Sequence, residues 1–228
     1  MIERLIPVLL MLALAVGTVL PSTARADDGL VEGRDYVAIN NGQPLRTEPG
    51  KVEVVEVFAY WCHVCNDFQP HLLSWKRTLP ADVAFRYLPA AFTRDDSHAR
   101  AYFATEALGA PAGLHEAVYR AIHVEQSLPQ RGTSVDEFAG FLAGLGMDRA
   151  AVAATMRSPQ VDARMDAART FIVDTGVQGT PTIIVNGRYR VLGRSFGDML
   201  RITDLLVARE RAIGGIDSRT SAPDESKP

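Results

Sequence analysis

Cysteine is scarce in this sequence, because 228 residues contain only two, Cys62 and Cys65. A fold held together by several disulfides is therefore excluded. The two cysteines stand three positions apart. A disulfide that closes so short a loop constrains little of the unfolded chain and would contribute little to the stability of the fold. Chemical reactivity explains the pair better.

An excess of charge of one sign is also missing. Lys and Arg total 24 against 27 for Asp and Glu, which leaves a net charge of −3 and gives no electrostatic reason to expect nucleic acid as a partner. The hydrophobic fraction of 47% is ordinary for a globular protein. Nothing in this balance points to a particular ligand, and neither a metal nor a cofactor is predicted.

The longest hydrophobic run, Leu5 to Leu20, is shorter than the roughly 20 residues that a membrane-spanning helix needs. It is followed by Ala24-Arg25-Ala26, with small residues at alternate positions as a signal peptidase requires. We therefore expect residues 1–26 to be a signal peptide cleaved near Ala26, with an uncleaved anchor as the alternative. Export would place the mature chain in an oxidising compartment.

The pattern of hydrophobic residues predicts an α/β fold. Tyr36 to Ile39 reads as a brief edge strand, Val52 to Phe58 as a strand buried on both faces, and Val83 to Leu88 as a second core strand. A helix beginning near Cys62 lies between the last two. Strand, helix and strand in this order imply a right-handed crossover and a parallel pair.

A helical block of four or five helices follows, and strands then return at Thr182 to Val185 and at Tyr189 to Leu192. Asn186-Gly187 between these strands predicts a tight hairpin. Ser134 and Glu137 have the spacing of a capping box. The predicted organisation is a sheet domain formed by residues 27–95 and 175–216, a helical domain inserted at 96–174, a last helix from about Ser195 to Arg211, and a disordered tail at 217–228.

The Cys62-His63-Val64-Cys65 motif falls where the buried strand turns into a helix. The first helical turn carries unpaired amide groups and partial positive charge, which stabilise a thiolate at Cys62. Cys62 would be the exposed nucleophile and leaving group, and the more buried Cys65 would resolve the mixed disulfide. A protonated His63 would lower the pKa of Cys62 further; the alternative is a His63 that merely faces solvent.

Two other interpretations of the cysteine pair are less well supported. An inert structural disulfide is one. The other is a zinc site, which would need two more ligands and finds no second paired motif among the available histidines. Those histidines are His71, His98, His115 and His123.

Val54 to Cys65 (V-V-E-V-F-A-Y-W-C-H-V-C) together with Gly179 to Gly187 (G-T-P-T-I-I-V-N-G) resembles the DsbA family of periplasmic thiol:disulfide interchange proteins, and the likeness extends from about Asp35 to Ala212. It implies a thioredoxin fold, a mixed central sheet flanked by helices, with an inserted helical domain. It also implies that Cys62 attacks and that Cys65 resolves. A depressed cysteine pKa and a strongly oxidising couple are known properties of the family and come with the resemblance.

The resemblance assigns further residues. Thr180-Pro181 matches the cis-proline element, which faces the disulfide and pairs with the substrate backbone. Glu56 matches an acidic residue beneath the active site, a candidate proton relay, and Arg86 occupies the position of a basic residue that could pair with it. A carboxylate within V-E-V-V-E-V-F is costly unless it is paired or reaches a functional cavity, although Glu53 in particular could sit at a solvated strand edge.

The nearby aromatic residues allow two interpretations. Tyr60 and Trp61 could form an apolar docking surface for unfolded chains or belong to the core, and Phe92 is expected in the core. The sequence departs from the family pattern in its His-Val dipeptide, where the best-known members have Pro-His. It departs again in the Thr before the proline, which isomerase-like members also carry.

The expected function is that of a monomeric periplasmic dithiol oxidase, which passes its Cys62–Cys65 disulfide to newly exported proteins. A membrane quinone reductase of the DsbB type would reoxidise it. One alternative is a disulfide isomerase or reductase of the same fold, although DsbC-like members usually carry a preceding dimerisation domain. The other is a non-catalytic thioredoxin-fold binding module with a structural disulfide.

Overall fold

The computed structural model describes residues 28–214. The predicted signal peptide, residues 1–26, and the predicted disordered tail, residues 217–228, lie outside this range. Within it the elements in chain order are β1 (Tyr36–Ala38), β2 (Val52–Phe58), α1 (His63–Lys76), β3 (Val83–Pro89), α2 (Ser97–Ala107), α3 (Leu114–His123), α4 (Val135–Gly144), α5 (Arg149–Met156), α6 (Pro159–Asp174), β4 (Thr182–Val185), β5 (Tyr189–Val191) and α7 (Phe196–Gly214).

The strands between residues 28 and 214 form one mixed sheet in the order β1-β5-β4-β2-β3. β2 and β3 are parallel, and every other neighbouring pair is antiparallel. The predicted parallel pair and mixed sheet are therefore confirmed. The prediction of a second core strand is wrong in one respect: β3 lies at a sheet edge, so Val83 and the run from Phe85 to Tyr87 are only partly buried.

The residues of β2 alternate between two layers of the core. Val52 and Val54 pack with α1 and α7, whereas Val55 and Val57 pack with the helices inserted between β3 and β4. Each of these valines is at most 1% exposed, as predicted for a strand buried on both faces. Complete burial of an aliphatic side chain contributes about 1.5–3 kcal/mol, which makes β2 the rigid base of the turn that follows it.

Capping side chains mark where four of the five inserted helices begin; α3 follows Gly113 and has no side-chain cap. The predicted capping box is confirmed, because Ser134 accepts from the Glu137 amide and the Glu137 carboxylate accepts from the Ser134 amide. Asp96, Asp148 and Ser158 are the N-caps of α2, α5 and α6, where each side chain accepts from backbone amides of the first turn without a reciprocal bond. Helices α2 to α6 thus fill the predicted helical block between β3 and β4.

The hairpin between β4 and β5 turns at Asn186-Gly187, as the sequence predicts. Both residues have positive φ, 51° and 66°, which a type I′ turn requires. Space excludes a side chain at Gly187 as well, since a Cβ there would lie 2.0 Å from the Gln43 carbonyl oxygen.

No helix within residues 28–214 is long and apolar enough to cross a membrane.

Candidate active site

Cys62 is the N-cap of α1, at the end of the three-residue turn that follows β2. Its Sγ accepts a hydrogen bond from the Cys65 amide at 3.3 Å, and the first turn of α1 contains no acidic residue that would oppose a negative sulfur. A hydrogen bond from the Cys65 thiol is the largest influence on Cys62. Together with the Thr180 side chain and the amides of Cys65 and Val64, it lowers the pKa of Cys62 to about 5 against the opposing effect of burial.

Cys65 lies one helical turn further in and has no solvent exposure, whereas Cys62 is 8% exposed. Burial, followed by the hydrogen bond and negative charge of Cys62, raises the pKa of Cys65 far above its ordinary value. Both cysteines are free thiols in this structure. The pair is therefore asymmetric: one sulfur ionises readily and borders solvent, although less openly than the sequence suggests, and the other holds its proton.

The Thr180-Pro181 peptide bond is cis and lies directly against the cysteine pair. The Cys62 thiol donates to the Thr180 carbonyl oxygen at 3.3 Å. Thr180 and Pro181 are both partly exposed, and β4 begins at the next residue, Thr182. The two segments that carry the sequence resemblance, 118 positions apart, thus meet at one sulfur atom.

His63 is the first residue of α1 and its side chain is exposed. It lies beside Cys62 in the chain, at the surface of the site. A role in tuning the thiolate stays a hypothesis.

Glu56 is completely buried on β2, on the face of the sheet that packs against α1. Neither carboxyl oxygen has a well-formed hydrogen bond, and the same is true of the amide nitrogen of nearby Gln69. Burial raises the pKa of Glu56 to about 8, and only the Gln69 side chain and the Lys76 charge oppose this rise. The negative charge of Cys62 adds to it. Glu56 therefore carries a proton at neutral pH.

The expected pairing of Glu56 with Arg86 is wrong. Arg86 pairs with Val55 across the β2–β3 register, so its side chain shares a face with Glu53 and not with Glu56. Its Nε donates to Glu53 at 3.0 Å, and the same guanidinium also bonds Glu48.

Glu53 is 2% exposed and is not at a solvated strand edge, which corrects the other expectation for this strand. Besides Arg86, it accepts from the amides of Leu45 and Arg46 at 2.7 and 2.8 Å. The two glutamates of β2 thus differ in role: Glu53 is a satisfied structural anchor, and Glu56 is an unsatisfied acid.

The cation near Glu56 is Lys76, at the end of α1, and the sequence did not predict this proximity. Its Nζ donates to the Tyr87 hydroxyl at 3.1 Å, and Tyr87 pairs directly with Glu56 in the sheet. Burial lowers the pKa of Lys76. Lys76 and Tyr87 also line a surface pocket of about 400 Å³, so the polar residues around Glu56 border solvent. A lysine at a helix C-terminus reads in sequence as an ordinary capping charge, and no sequence signal distinguished it.

The aromatic residues before the motif divide between the two interpretations. Tyr60 is core, with 2% exposure, whereas Trp61 is partly exposed and its indole Nε1 donates to Asp96 at 3.2 Å. Phe92 is 38% exposed, so its expected place in the core is wrong. Trp61 and Phe92 therefore present apolar side chains at the surface.

Within residues 28–214, no group of three or more His, Cys, Asp or Glu side chains is arranged to hold a metal ion. The histidines considered as zinc ligands make other contacts. His71 packs on Phe196, His98 on Phe138, His115 on Tyr87, and His123 bonds the Tyr60 carbonyl oxygen.

Comparison with known proteins agrees with this geometry. A family model described as a DSBA-like thioredoxin domain matches residues 88–202. The thiol:disulfide interchange protein DsbA of Pseudomonas aeruginosa is 36% identical over 203 residues, which span 87% of this chain and 94% of that protein. The DsbA of Azotobacter vinelandii is 35% identical, over 87% of this chain and 92% of the relative.

Solved structures agree as well. The crystal structure of the oxidoreductase DsbA from Xylella fastidiosa has a TM-score of 0.77 and 44% identity, with 80% of this chain and 98% of that chain covered. The Pseudomonas aeruginosa DsbA structure has a TM-score of 0.75 and 34% identity, covering 83% of this chain and 98% of the other.

Proposed function

The chain belongs to the DsbA family of thioredoxin-fold thiol:disulfide oxidoreductases, and on that premise we propose that it acts as an oxidase, donating a Cys62–Cys65 disulfide to newly exported proteins. The asymmetry of the two thiols is the observation that supports transfer of the disulfide from this protein to its clients. A pKa of about 5 at Cys62 stabilises the thiolate of the reduced protein, so the oxidised protein readily transfers its disulfide to a client dithiol. Each pKa unit below ambient pH is worth about 1.4 kcal/mol, or roughly 30 mV for a two-electron couple.

The reaction proceeds in two exchanges. A client thiolate attacks the Cys62 sulfur, the Cys62–Cys65 bond breaks, and Cys65 leaves with the electron pair. The second client thiolate then attacks the client sulfur of the mixed disulfide, and Cys62 leaves as a stabilised thiolate. The client loses two electrons and gains one disulfide, and the protein becomes the dithiol.

Glu56 is the proposed proton relay of this cycle. A departing Cys65 thiolate needs a proton because the pKa of that thiol is high. Glu56 holds one at neutral pH and lies on β2, the strand that leads into the motif, close enough for the Cys62 charge to raise its pKa. The positive charge of Lys76 favours the carboxylate that is left behind.

Thr180 and Pro181 are the proposed substrate-binding loop. Both residues are partly exposed beside Cys62, where an extended client segment could add as a strand and present its cysteine to the sulfur. Trp61, directly before Cys62, is partly exposed and offers further apolar surface.

The cellular location, the monomeric state and the reoxidising partner are also part of the proposal. The predicted signal peptide at residues 1–26 would export the chain to the periplasm, and a monomer would be reoxidised there by a membrane quinone reductase of the DsbB type. Isomerase or reductase activity is the less favoured alternative, because a low Cys62 pKa drives the exchange towards disulfide donation.

The test is a stoichiometric exchange between the oxidised protein and a reduced dithiol peptide, followed by mass spectrometry at pH 7. We expect the peptide to gain one disulfide while the protein gains two hydrogens, with the equilibrium far on the side of the oxidised peptide. An equilibrium that leaves the protein oxidised and the peptide reduced would instead identify a reductase. Failure to react at all would identify a binding module.

A further inference from the structure

The turn before Cys62 is held from outside by the inserted helices. Three consecutive backbone carbonyls, those of Ala59, Tyr60 and Trp61, each accept a hydrogen bond from a side chain of the insertion. The donors are the Tyr119 hydroxyl at 3.4 Å, His123 Nε2 at 2.7 Å and Gln130 Nε2 at 2.7 Å. Tyr119 and His123 lie on α3, and Gln130 lies in the loop that follows it.

These bonds act on the segment that places the reactive sulfur. Cys62 is joined to the turn by the bond from its amide to the Ala59 carbonyl at 3.1 Å, and its Sγ must meet the Cys65 amide 3.3 Å away. Rotation of the preceding peptides would change that contact. A hydrogen bond donated to a carbonyl also offsets its partial negative charge, which would otherwise disfavour an anion nearby.

The need to give each buried carbonyl oxygen a hydrogen-bond partner does not explain all three bonds. Gln130 is exposed, so water could serve the Trp61 carbonyl equally well. The side chain adds orientation instead: it fixes one peptide immediately before Cys62 from a loop roughly 70 residues away along the chain. His123 does the same one residue earlier.

We propose that His123 and Gln130 are positioning residues, which hold the turn before Cys62 and thereby set the redox equilibrium of the Cys62–Cys65 pair. Neither residue touches the reacting sulfurs. The proposal deepens the oxidase function proposed above and rests on it. It assigns the inserted helices a direct part in tuning the thiol chemistry of the sheet domain.

The test uses variants that remove a donor without changing the backbone. Gln130→Met keeps the length of an uncharged side chain, and His123→Leu removes the imidazole. His123→Gln is the rescue variant because its amide nitrogen can replace Nε2 as donor. Gln160→Met is the matched control, since Gln160 is an exposed glutamine on α6. The readout is the equilibrium constant with glutathione at pH 7.

We expect the double variant His123→Leu/Gln130→Met to shift that constant about tenfold towards the oxidised protein, the effect of one pKa unit at Cys62. Gln130→Met alone should shift it roughly threefold, or half a pKa unit. His123→Gln and Gln160→Met should stay close to the unmodified protein. If the double variant does not fold, Gln130→Met carries the test, because its side chain is at the surface.

The free energies of unfolding of the oxidised and reduced forms distinguish a positioning role of His123 and Gln130 from a purely structural one. A purely structural role would destabilise both forms equally and leave the glutathione constant unchanged, and that result would overturn the proposal. A shift towards the reduced protein would overturn it as well. Failure of the oxidase function is a different result: the unmodified Cys62 would then titrate like an ordinary thiol.

Discussion

Replacement of Cys62 by serine is expected to reduce disulfide transfer by at least about a thousandfold, to the background of uncatalysed exchange. Serine keeps the N-cap of α1, because its hydroxyl can accept from the Cys65 amide as the sulfur does, and serine is a preferred N-cap residue. The fold should therefore survive. What is lost is the one sulfur whose pKa lies below neutrality and which borders solvent.

Cys65→Ser is the matched control for that experiment. Cys62 is retained, so the variant should still attack a disulfide, but without the resolving thiol its mixed disulfide with the client should persist. Both variants can be compared in insulin reduction and by mass spectrometry of the trapped species. Cys62→Ser with substantial activity, or a stable mixed disulfide at residue 65 in its place, would show that the two sulfurs have been given the wrong roles.

Glu56→Gln is expected to stabilise the reduced protein strongly at alkaline pH. Burial raises the pKa of Glu56 from 4.5 to about 8 on folding, so the folded protein binds its proton more tightly than the unfolded chain does. The wild type therefore loses stability as the pH rises from 4.5 through 8, and retains this contribution fully only below 4.5. The whole loss is roughly 4 to 5 kcal/mol.

Glutamine keeps the shape of the side chain and cannot ionise, so its variant should lack this pH dependence. The measurement is urea unfolding of the reduced proteins between pH 4 and pH 9, and the difference between variant and wild type isolates Glu56 from the titration of the cysteines. Glu53→Gln is the comparison at the neighbouring glutamate, where burial also raises the pKa but Arg86 and two amides bond the carboxylate and oppose the rise. Equal slopes for wild type and Glu56→Gln would contradict the buried, protonated state of Glu56.

Local sequence signals were sufficient to predict the strand and the helix that position the cysteines. The β-branched run Val52 to Phe58 specified a buried strand, and the cysteine spacing after it specified the start of a helix. Asn186-Gly187 specified a hairpin because few other residues adopt positive φ at both turn positions. Each of these features depends on residues close together in the chain, which is why each was predictable.

The partner of Glu56 was not predictable because it depends on strand register. Neighbouring residues of a strand point to opposite faces, so a shift of one position exchanges Arg86 for Tyr87 opposite Glu56. The cation that does approach Glu56 comes from α1, twenty positions along the chain. Periodicity places Lys76 at the end of a helix and carries no information about which strand residue it meets.

The contacts made by the inserted helices could not be predicted from the sequence either. His123 was a candidate zinc ligand, and the sequence assigned no role to Gln130. Their bonds to the turn before Cys62 depend on how α3 packs against the sheet domain. Long-range packing of this kind leaves no periodic trace. Phe92 was misplaced for the same reason, since an aromatic side chain alone does not report whether a surface covers it.

Titration of the thiolate absorbance of the reduced protein tests directly whether the start of α1 stabilises a thiolate at Cys62. We expect one cysteine with a pKa of about 5, assigned to Cys62 by its disappearance in Cys62→Ser, and a second thiol whose pKa lies well above that of free cysteine. A single step near the pKa of about 8.5 expected for free cysteine would contradict it.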